Sequence, residues 1–185
     1  MNFDYNEEQQ LLADSVRRFL AKDYDFDARR KLVASEAGWS PRVWATFAEM
    51  GLTGLPFSTD YGGFGGGAVD LMDVMEAFGE ALVVEPYLPT LMGGLIVGRS
   101  ALAGSILPLV AEGKMKLAFA HSEKGARYDL SAVATRARKS ADAWVLEGEK
   151  AGVVGAPAAD RLVVSARTPD GIARSIVQCK ISKAF

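Results

Sequence analysis

Apolar residues recur every three or four positions through roughly the first hundred residues, a spacing that places them on one face of an α-helix. Asn6 and Gln9 have the spacing of a capping box, and the apolar positions after them predict a helix over residues 7 to about 23. Ser40-Pro41 has the order of an N-cap followed by a first helical residue, and it predicts a second helix that ends at Gly51.

A glycine-rich segment then interrupts the helical pattern. Residues 51–67 contain seven glycines and one proline, a composition that excludes a regular helix or a central strand, so we predict a long loop. After the loop, Asp70 is the expected N-cap of a third helix, and Pro86 is expected to end that helix near residue 85. Two shorter helices are predicted next, over residues 88–101 and 105–111.

Near Lys116 the apolar period changes from that of helices to that of strands. Short apolar or β-branched runs predict strands at residues 117–120, 132–137, 143–148, 161–166 and 175–178. Helices and strands thus occupy separate parts of the sequence instead of alternating. We predict an α+β fold by segregation, with an all-α helical bundle over residues 1–113 and an incomplete antiparallel β-domain over residues 114–185.

The composition is that of a globular protein, because 49% of the 185 residues are hydrophobic and 24% are charged. The 21 basic and 23 acidic side chains give a formal net charge of -2 without a basic block, so no nucleic-acid partner is expected. Glycine, proline and polar residues interrupt the apolar stretch between residues 88 and 110, which therefore predicts a buried helix pair and no membrane span.

The cellular compartment is predicted from cysteine usage and from the N-terminus. Cys179 is the only cysteine, so the chain cannot form an internal disulfide. The first residues are acidic and carry no basic side chain, unlike a secretory signal. We therefore expect a cytoplasmic protein.

Two features invite a chemical interpretation from the residues alone. Residues 63–68 match the G-x-G-x-x-G/A pattern, but no strand precedes them, which favours a structural or substrate-gating turn over a dinucleotide site. His121 neighbours Ser122, but adjacent strand residues face opposite sides, which argues against serine-hydrolase chemistry. His121 is expected either to end a strand beside a polar neighbour or to have a functional role.

One histidine and one cysteine supply no ligand cluster, so no metal is expected.

Four stretches, in order, resemble the acyl-CoA dehydrogenase family. The first consists of residues 2–9 and 16–19. The other three are residues 44–65, which contain Tyr61-Gly62-Gly63-Phe64-Gly65, residues 76–88, which contain Glu85-Pro86-Tyr87-Leu88, and residues 107–160, which contain Glu147-Gly148-Glu149-Lys150. The resemblance covers essentially residues 2–168. It implies the family's helical N-terminal domain and the start of its middle β-barrel domain, without its C-terminal helical domain.

The same resemblance implies an FAD-dependent α,β-dehydrogenation of an acyl-CoA thioester, in which FAD accepts the β-hydrogen as hydride. The family's catalytic glutamate belongs to the C-terminal helices, so no catalytic residue is assigned within these 185 residues. The implied cofactor-binding positions are His121, Ser122 and the backbone N–H groups of Val153 and Val154, and the implied substrate-binding positions are Glu123 and Tyr128.

Some positions depart from the family pattern. Gly152 and Val154 stand where the family has a tryptophan against the flavin ring and a threonine near the flavin N5, and Tyr128 replaces a small serine. Such departures resemble the smaller subunits of heteromeric acyl-CoA dehydrogenases. Three hypotheses stay open: a dehydrogenase subunit, a non-catalytic assembly subunit, and a free-standing helical interaction module. The implied partners are acyl-CoA, other acyl-CoA dehydrogenase subunits in a homo- or hetero-oligomer, and an electron-transfer flavoprotein.

Overall fold

The computed structural model describes residues 5–140 and 143–178, so Cys179 lies outside the described residues. In the described part, every α-helix precedes the strands, and the predicted segregation is confirmed. The helices are α1 (Glu7–Asp23), α2 (Phe26–Ala34), α3 (Pro41–Glu49), α4 (Ala68–Glu80), α5 (Tyr87–Val97) and α6 (Ala103–Ala111). The strands are β1 (Leu117–Ala120), β2 (Arg136–Ser140), β3 (Ala143–Glu147), β4 (Arg161–Thr168) and β5 (Gly171–Gln178).

Helices α1 and α3 begin at the predicted caps. The Asn6 side chain accepts a hydrogen bond from the Gln9 N–H at 2.9 Å, and the Gln9 side chain accepts one from the Asn6 N–H at 2.9 Å. These reciprocal bonds satisfy N–H groups that the helix cannot satisfy itself. The Ser40 hydroxyl accepts from the Val43 N–H at 3.2 Å, directly before Pro41. Both predicted starts are confirmed.

The sequence pattern does not predict α2. This helix buries none of its residues, so it has no buried apolar face to show as a period. Its start is still encoded locally, because the Asp25 carboxylate accepts a hydrogen bond from the Ala28 N–H at 2.7 Å. Arg29 attaches α2 to the bundle by donating from Nε to the Leu82 carbonyl at 2.8 Å.

Helix α4 differs from its prediction at both ends. Its N-cap is Gly67, and Asp70 is the third helical residue, which accepts from the Gly67 N–H at 2.7 Å. The helix ends at Glu80, well before Pro86, because Leu82 adopts a left-handed conformation with φ of 53°. The chain therefore turns before the proline is reached.

The apolar stretch between residues 88 and 110 forms α5 and α6, which are 11 and 9 residues long. Helix α5 ends at Val97, earlier than predicted, and the Ser100 hydroxyl donates to the Val97 carbonyl at 2.8 Å. Both helices bury apolar side chains, including Leu91 and Leu107. Within residues 5–140 and 143–178, no helix is both long and apolar enough to cross a membrane.

An aromatic cluster forms the centre of the helical part. Phe47 of α3 stacks on Phe78 of α4 with ring centroids 4.7 Å apart, and Phe78 meets the Tyr87 ring edge-on at 4.9 Å. Pairs in these geometries contribute about 0.5–1.5 kcal/mol each beyond the burial of their area. The Tyr87 hydroxyl donates to the Leu52 carbonyl at 3.0 Å, and burial raises the pKa of this hydroxyl. The cluster therefore joins α3, α4 and the start of α5.

The sheet is mixed, whereas the sequence predicted an antiparallel β-domain. The pairs β2–β3 and β4–β5 are antiparallel, but β1 runs parallel to β4, with Leu117 opposite Arg161. Parallel pairing requires a long crossover, which the chain between β1 and β4 supplies. Strand β4 pairs with β5 along one edge, and β1 and β2 share its other edge. Strand β2 begins at Arg136, four residues later than predicted.

Helix α5 packs directly on β1 and joins the helices to the sheet. The Thr90 hydroxyl donates to the Leu117 carbonyl and accepts from the Leu117 N–H, at 3.3 Å each. At Gly93 an added Cβ would lie 2.7 Å from the Leu117 side chain, so only glycine allows this approach. Leu117 and Val163 belong to the same core cluster as the helical residues. Helix α5 and β1 therefore form one rigid seam.

The glycine-rich loop closes on its own backbone. The N–H groups of Phe64 and Gly66 donate to the carbonyls of Gly54 and Leu55 at 3.3 and 2.8 Å. At Gly63 an added Cβ would lie 2.6 Å from the Gly54 carbonyl oxygen. The glycines let two backbone segments touch, which accounts for the pattern without a phosphate ligand.

We expect Gly63→Ala to destabilise the fold by about 1–3 kcal/mol, because the added methyl group has no space between backbone groups. Gly79→Ala is the matched control, since nothing lies within 4 Å of its added Cβ in α4, and alanine favours a helix over glycine by up to about 1 kcal/mol. Urea unfolding followed by circular dichroism measures both changes. Equal midpoints for the two variants would contradict the steric role of Gly63.

Candidate functional site

A cleft of about 290 Å³ lies where α5, the end of β1 and the segment after β3 meet. This volume is at the lower end of the roughly 300–1,000 Å³ of ligand pockets, enough for a ring system but not for a dinucleotide. We name it the α5–β1 cleft. Its lining residues are Leu88, Pro89, Met92, Phe119, His121, Ser122, Gly152 and Val154.

Helix α5 supplies an apolar wall of the cleft. Leu88 and Met92 are one helical turn apart and are 48% and 45% exposed, whereas Leu91 of the same helix is buried. Phe119 contributes a ring at the end of β1, stacked against the His121 ring with centroids 5.4 Å apart. The cleft thus offers apolar side chains and a flat aromatic surface to a ligand.

The segment after β3 supplies backbone donors. Ala151 donates its N–H to the Ser122 carbonyl at 2.9 Å, which holds this segment beside the end of β1. Gly152 and Gly155 both have left-handed backbones, with φ of 65° and 76°. The N–H groups of Val153 and Val154 between them have no acceptor in the described part of the chain. Two adjacent donors are therefore available at the rim of the cleft.

A largely buried ion pair lies next to His121. Lys150 Nζ is 2.7 Å from Glu123 Oε1, and the two side chains are only 10% and 8% exposed. The same ammonium donates to the His121 carbonyl at 3.0 Å and to the Ser165 hydroxyl at 3.1 Å. Lys150 thereby connects the end of β1, the segment after β3 and strand β4.

The Glu123 carboxylate receives further hydrogen bonds from the segment before β2. The Thr135 hydroxyl donates at 2.6 Å, and the N–H groups of Thr135 and Ala134 donate at 2.9 and 2.6 Å. Burial by itself would raise the pKa of Glu123, but hydrogen bonds from Lys150, Thr135 and Ala134 outweigh burial and lower the pKa to about 2. These bonds also explain why β2 begins late, since the N–H groups of its predicted first residues are already used.

The structure brings together most of the sequence-predicted site residues. His121, Ser122 and Val154 line the cleft, and Val153 lies next to it. Glu123 does not line the cleft, and its carboxylate accepts hydrogen bonds from four donors. Tyr128 is 99% exposed and is outside the cleft lining. The binding roles of these residues stay predictions.

Several residues of the site were not predicted from the sequence. Leu88 and Met92 follow a helical period that normally marks buried positions, and Ser165 lies in a strand 44 residues after His121. Lys150 belongs to the segment that resembles the family, but nothing local in the sequence connects it to Glu123. In the described residues no cluster of histidine, cysteine, aspartate or glutamate could hold a metal ion.

A larger groove of about 680 Å³ opens on the other side of Val154. It is lined by the connection between α4 and α5, including Leu82 and Glu85, and by Pro157. The Glu85 carboxylate is already bound by the Tyr24 hydroxyl at 2.8 Å and the Ser40 N–H at 3.1 Å. We assign the α5–β1 cleft as the candidate site because it gathers the predicted residues and the available backbone donors.

Comparison with known proteins gives the family. Residues 6–114 match the family model described as "Acyl-CoA dehydrogenase, N-terminal domain". Acyl-CoA dehydrogenase FadE12 of Mycobacterium tuberculosis is 29% identical over 177 residues, which cover 91% of this chain and 44% of FadE12. The 3-(aryl)acrylate reductase of Clostridium sporogenes is 31% identical over 170 residues, which cover 89% of this chain and 45% of the reductase.

The solved structures agree in fold. A variant of the Tcur3481-Tcur3483 steroid ACAD superposes with a TM-score of 0.86 at 30% sequence identity. The superposition covers 94% of this chain and 48% of that chain. The present chain thus spans about half the length of the relatives it matches.

We expect Glu123→Gln to destabilise the fold by about 2 kcal/mol at neutral pH, because it leaves the Lys150 ammonium without a countercharge. The folded pKa of Glu123, about 2, is below its ordinary value of 4.5. The stability that the ionised Glu123 carboxylate contributes is therefore complete above pH 4.5 and is lost as the pH falls through 2. Urea unfolding of wild type and variant at several pH values should show the difference shrinking across that window.

Glu149→Gln is the control for this experiment. Glu149 pairs with Lys124 at 2.6 Å, but these side chains are 69% and 77% exposed, so water screens the pair. We expect little change in stability for this variant at any pH. A Glu123→Gln effect that stays constant from neutral pH to pH 2 would contradict the role of the ionised carboxylate.

Proposed function

Because the chain belongs to the acyl-CoA dehydrogenase family, we propose that it is part of an FAD-dependent subunit for the α,β-dehydrogenation of an acyl-CoA thioester. The observation that carries this proposal is the α5–β1 cleft. The cleft combines apolar walls, an aromatic surface and unpaired backbone donors at the positions where the family resemblance implies flavin contacts.

The residues of the cleft fit the ring system of FAD. A flavin ring is flat and has apolar faces, and its edge carries carbonyl oxygens and ring nitrogens that accept hydrogen bonds. Leu88, Met92 and Phe119 supply apolar contacts, and the free N–H groups of Val153 and Val154 supply donors. The small volume suits the ring alone, so the rest of the cofactor extends beyond the cleft.

The residues of this chain would bind and orient the cofactor, and the bound FAD would supply the two-electron acceptor. Leu88 and Met92 would exclude water from one side of the ring, and Ser122 would add a hydroxyl partner. Lys150 would hold the segment after β3 at a fixed distance from the end of β1, because it belongs to the first and bonds to the His121 carbonyl and the Glu123 carboxylate of the second. Such pre-organisation is how binding energy is used for orientation.

The substrate and the partners are part of the same proposal. The substrate is an acyl-CoA, and the subunit works in a homo- or hetero-oligomer of acyl-CoA dehydrogenase subunits that passes electrons to an electron-transfer flavoprotein. FadE12 is named an acyl-CoA dehydrogenase, which supports the thioester substrate. The Tcur3481-Tcur3483 steroid ACAD is named by two designations, which supports pairing between unlike subunits.

A second candidate function is a non-catalytic assembly subunit of a heteromeric acyl-CoA dehydrogenase. Two observations favour it: Gly152 places no side chain against a ligand, and Val154 presents an apolar group that is 72% exposed. Gly152→Trp with Val154→Thr would introduce the tryptophan ring and the threonine hydroxyl that the family pattern has at these two positions. The backbone cost is about 1 kcal/mol, because Gly152 has a φ of 65°.

The two candidates differ in FAD uptake by the purified chain. A dehydrogenase subunit is expected to change the visible spectrum of added FAD in a saturable way. An assembly subunit is expected to leave that spectrum unchanged, whereas its Gly152→Trp, Val154→Thr double variant takes up the flavin. Saturable uptake by the wild-type chain contradicts the assembly candidate.

We expect Met92→Asp to weaken FAD binding by about tenfold or more, because it places a charge in the apolar wall where the ring would exclude water. Leu95→Asp is the matched control, since Leu95 is 46% exposed on α5 but does not line the cleft. Flavin fluorescence titration measures both affinities, and thermal melting checks that both variants are folded. Equal loss of affinity in both variants, or in neither, would place the flavin elsewhere.

A further inference from the structure

The His121 side chain is held between a buried hydroxyl and the α5–β1 cleft. Its Nδ1 lies 3.0 Å from the Oγ of Ser165, a residue that is 1% exposed. Its ring stacks on Phe119 with an interplanar angle of 27°. Rotation of the ring would break one of these contacts, so its orientation is defined.

Lys150 determines the direction of the hydrogen bonds around this ring. An ammonium group has three N–H donors and no acceptor. Lys150 uses the three donors on the His121 carbonyl, Glu123 Oε1 and Ser165 Oγ, at 3.0, 2.7 and 3.1 Å. The Ser165 oxygen must therefore accept from Lys150, and it cannot be the donor in that contact.

The hydroxyl proton of Ser165 then has one remaining partner in the described part of the chain, Nδ1 of His121. If Nδ1 carried a proton, the Ser165 oxygen would accept from both Nδ1–H and Lys150, and the buried hydroxyl proton would be left without an acceptor in the described part of the chain. Nδ1 is therefore the acceptor, and the neutral ring carries its proton on Nε2.

The protonated nitrogen is open to the cleft. In the described part of the chain, every buried side-chain nitrogen or oxygen atom has a hydrogen-bond partner. Nε2 of His121 has no such partner there, so it is accessible, and the ring that carries it lines the cleft.

We propose that Lys150 and Ser165 hold His121 in the neutral Nε2–H tautomer, so that the cleft presents a fixed side-chain donor to a carbonyl oxygen or an unprotonated ring nitrogen of its ligand. Lys150 and Ser165 are positioning residues, because they act through His121. Naming the flavin edge as that ligand rests on the proposed function. The tautomer itself depends only on the hydrogen bonds within this chain.

The tautomer is tested by ¹⁵N NMR of the full 185-residue chain, whose single histidine makes the ring signals unambiguous. Without ligand at neutral pH, Nδ1 is expected to resonate as an unprotonated nitrogen and Nε2 as a protonated one, with a preference of about tenfold or more. A dominant Nδ1–H signal, or a signal averaged between the two tautomers, overturns the proposal. The wild-type measurement needs no variant that could fail to fold.

Two variants test the cause of the preference. Ser165→Ala removes the donor to Nδ1 and is expected to shift the ring toward a mixture of tautomers. Ser122→Ala is the control, because the Ser122 hydroxyl is the neighbouring one and makes no hydrogen bond to the ring. A Ser165→Ala chain that is folded and keeps the full Nε2–H preference contradicts the positioning role.

Added FAD tests the donor role separately. The Nε2 and Nε2–H resonances are expected to move on saturation with FAD while Nδ1 stays unprotonated. FAD that binds, as shown by its visible spectrum, without moving these resonances overturns the donor role but leaves the proposed function intact. A chain that takes up no FAD contradicts the proposed function, whereas the tautomer is still decided by the ligand-free spectrum.

Discussion

The site depends on one ammonium group that has been taken out of water. Lys150 is 10% exposed, and its charge is tolerated because Glu123, Ser165 and the His121 carbonyl each accept one of its N–H groups. These acceptors come from the end of β1 and from β4, and Glu123 in turn receives hydrogen bonds from the segment before β2. A buried charge without such partners costs several kcal/mol. The pair therefore requires these segments to meet, and the sheet side of the cleft follows from that requirement.

The other side of the cleft depends on the seam between α5 and β1. Thr90 bonds both backbone groups of Leu117, and Gly93 lets the helix approach the strand closely. Because α5 is tied to the aromatic cluster through Tyr87, the exposed side chains Leu88 and Met92 are carried by a rigid element. A site supported in this way can be selective even though its volume is small.

One departure from the family pattern, Gly152, falls where the backbone is left-handed. Gly152 has a left-handed φ of 65°, so the segment after β3 turns there without a side chain. The free N–H groups of Val153 and Val154 remain at the rim, and the side chain of Val154 is exposed. The cleft thus combines main-chain donors with one histidine that its own hydrogen bonds orient. His121 is therefore the side chain of the cleft whose orientation is fixed by its own hydrogen bonds.

Local sequence determined the features that depend on neighbouring residues. The capping box at Asn6, the Ser40-Pro41 start and the change of period near Lys116 correctly located helix starts and the separation of helices from strands, because these effects act over a few residues. The family resemblance further indicated His121 and Ser122. Helix α2 was not predicted, since it has no buried face, and Leu82 ended α4 before Pro86 was reached. Only the tertiary structure decided the parallel pairing of β1 with β4 and the meeting of Lys150 with Glu123 and Ser165, because hydrogen bonds between residues far apart in the chain leave no periodic signal in the sequence.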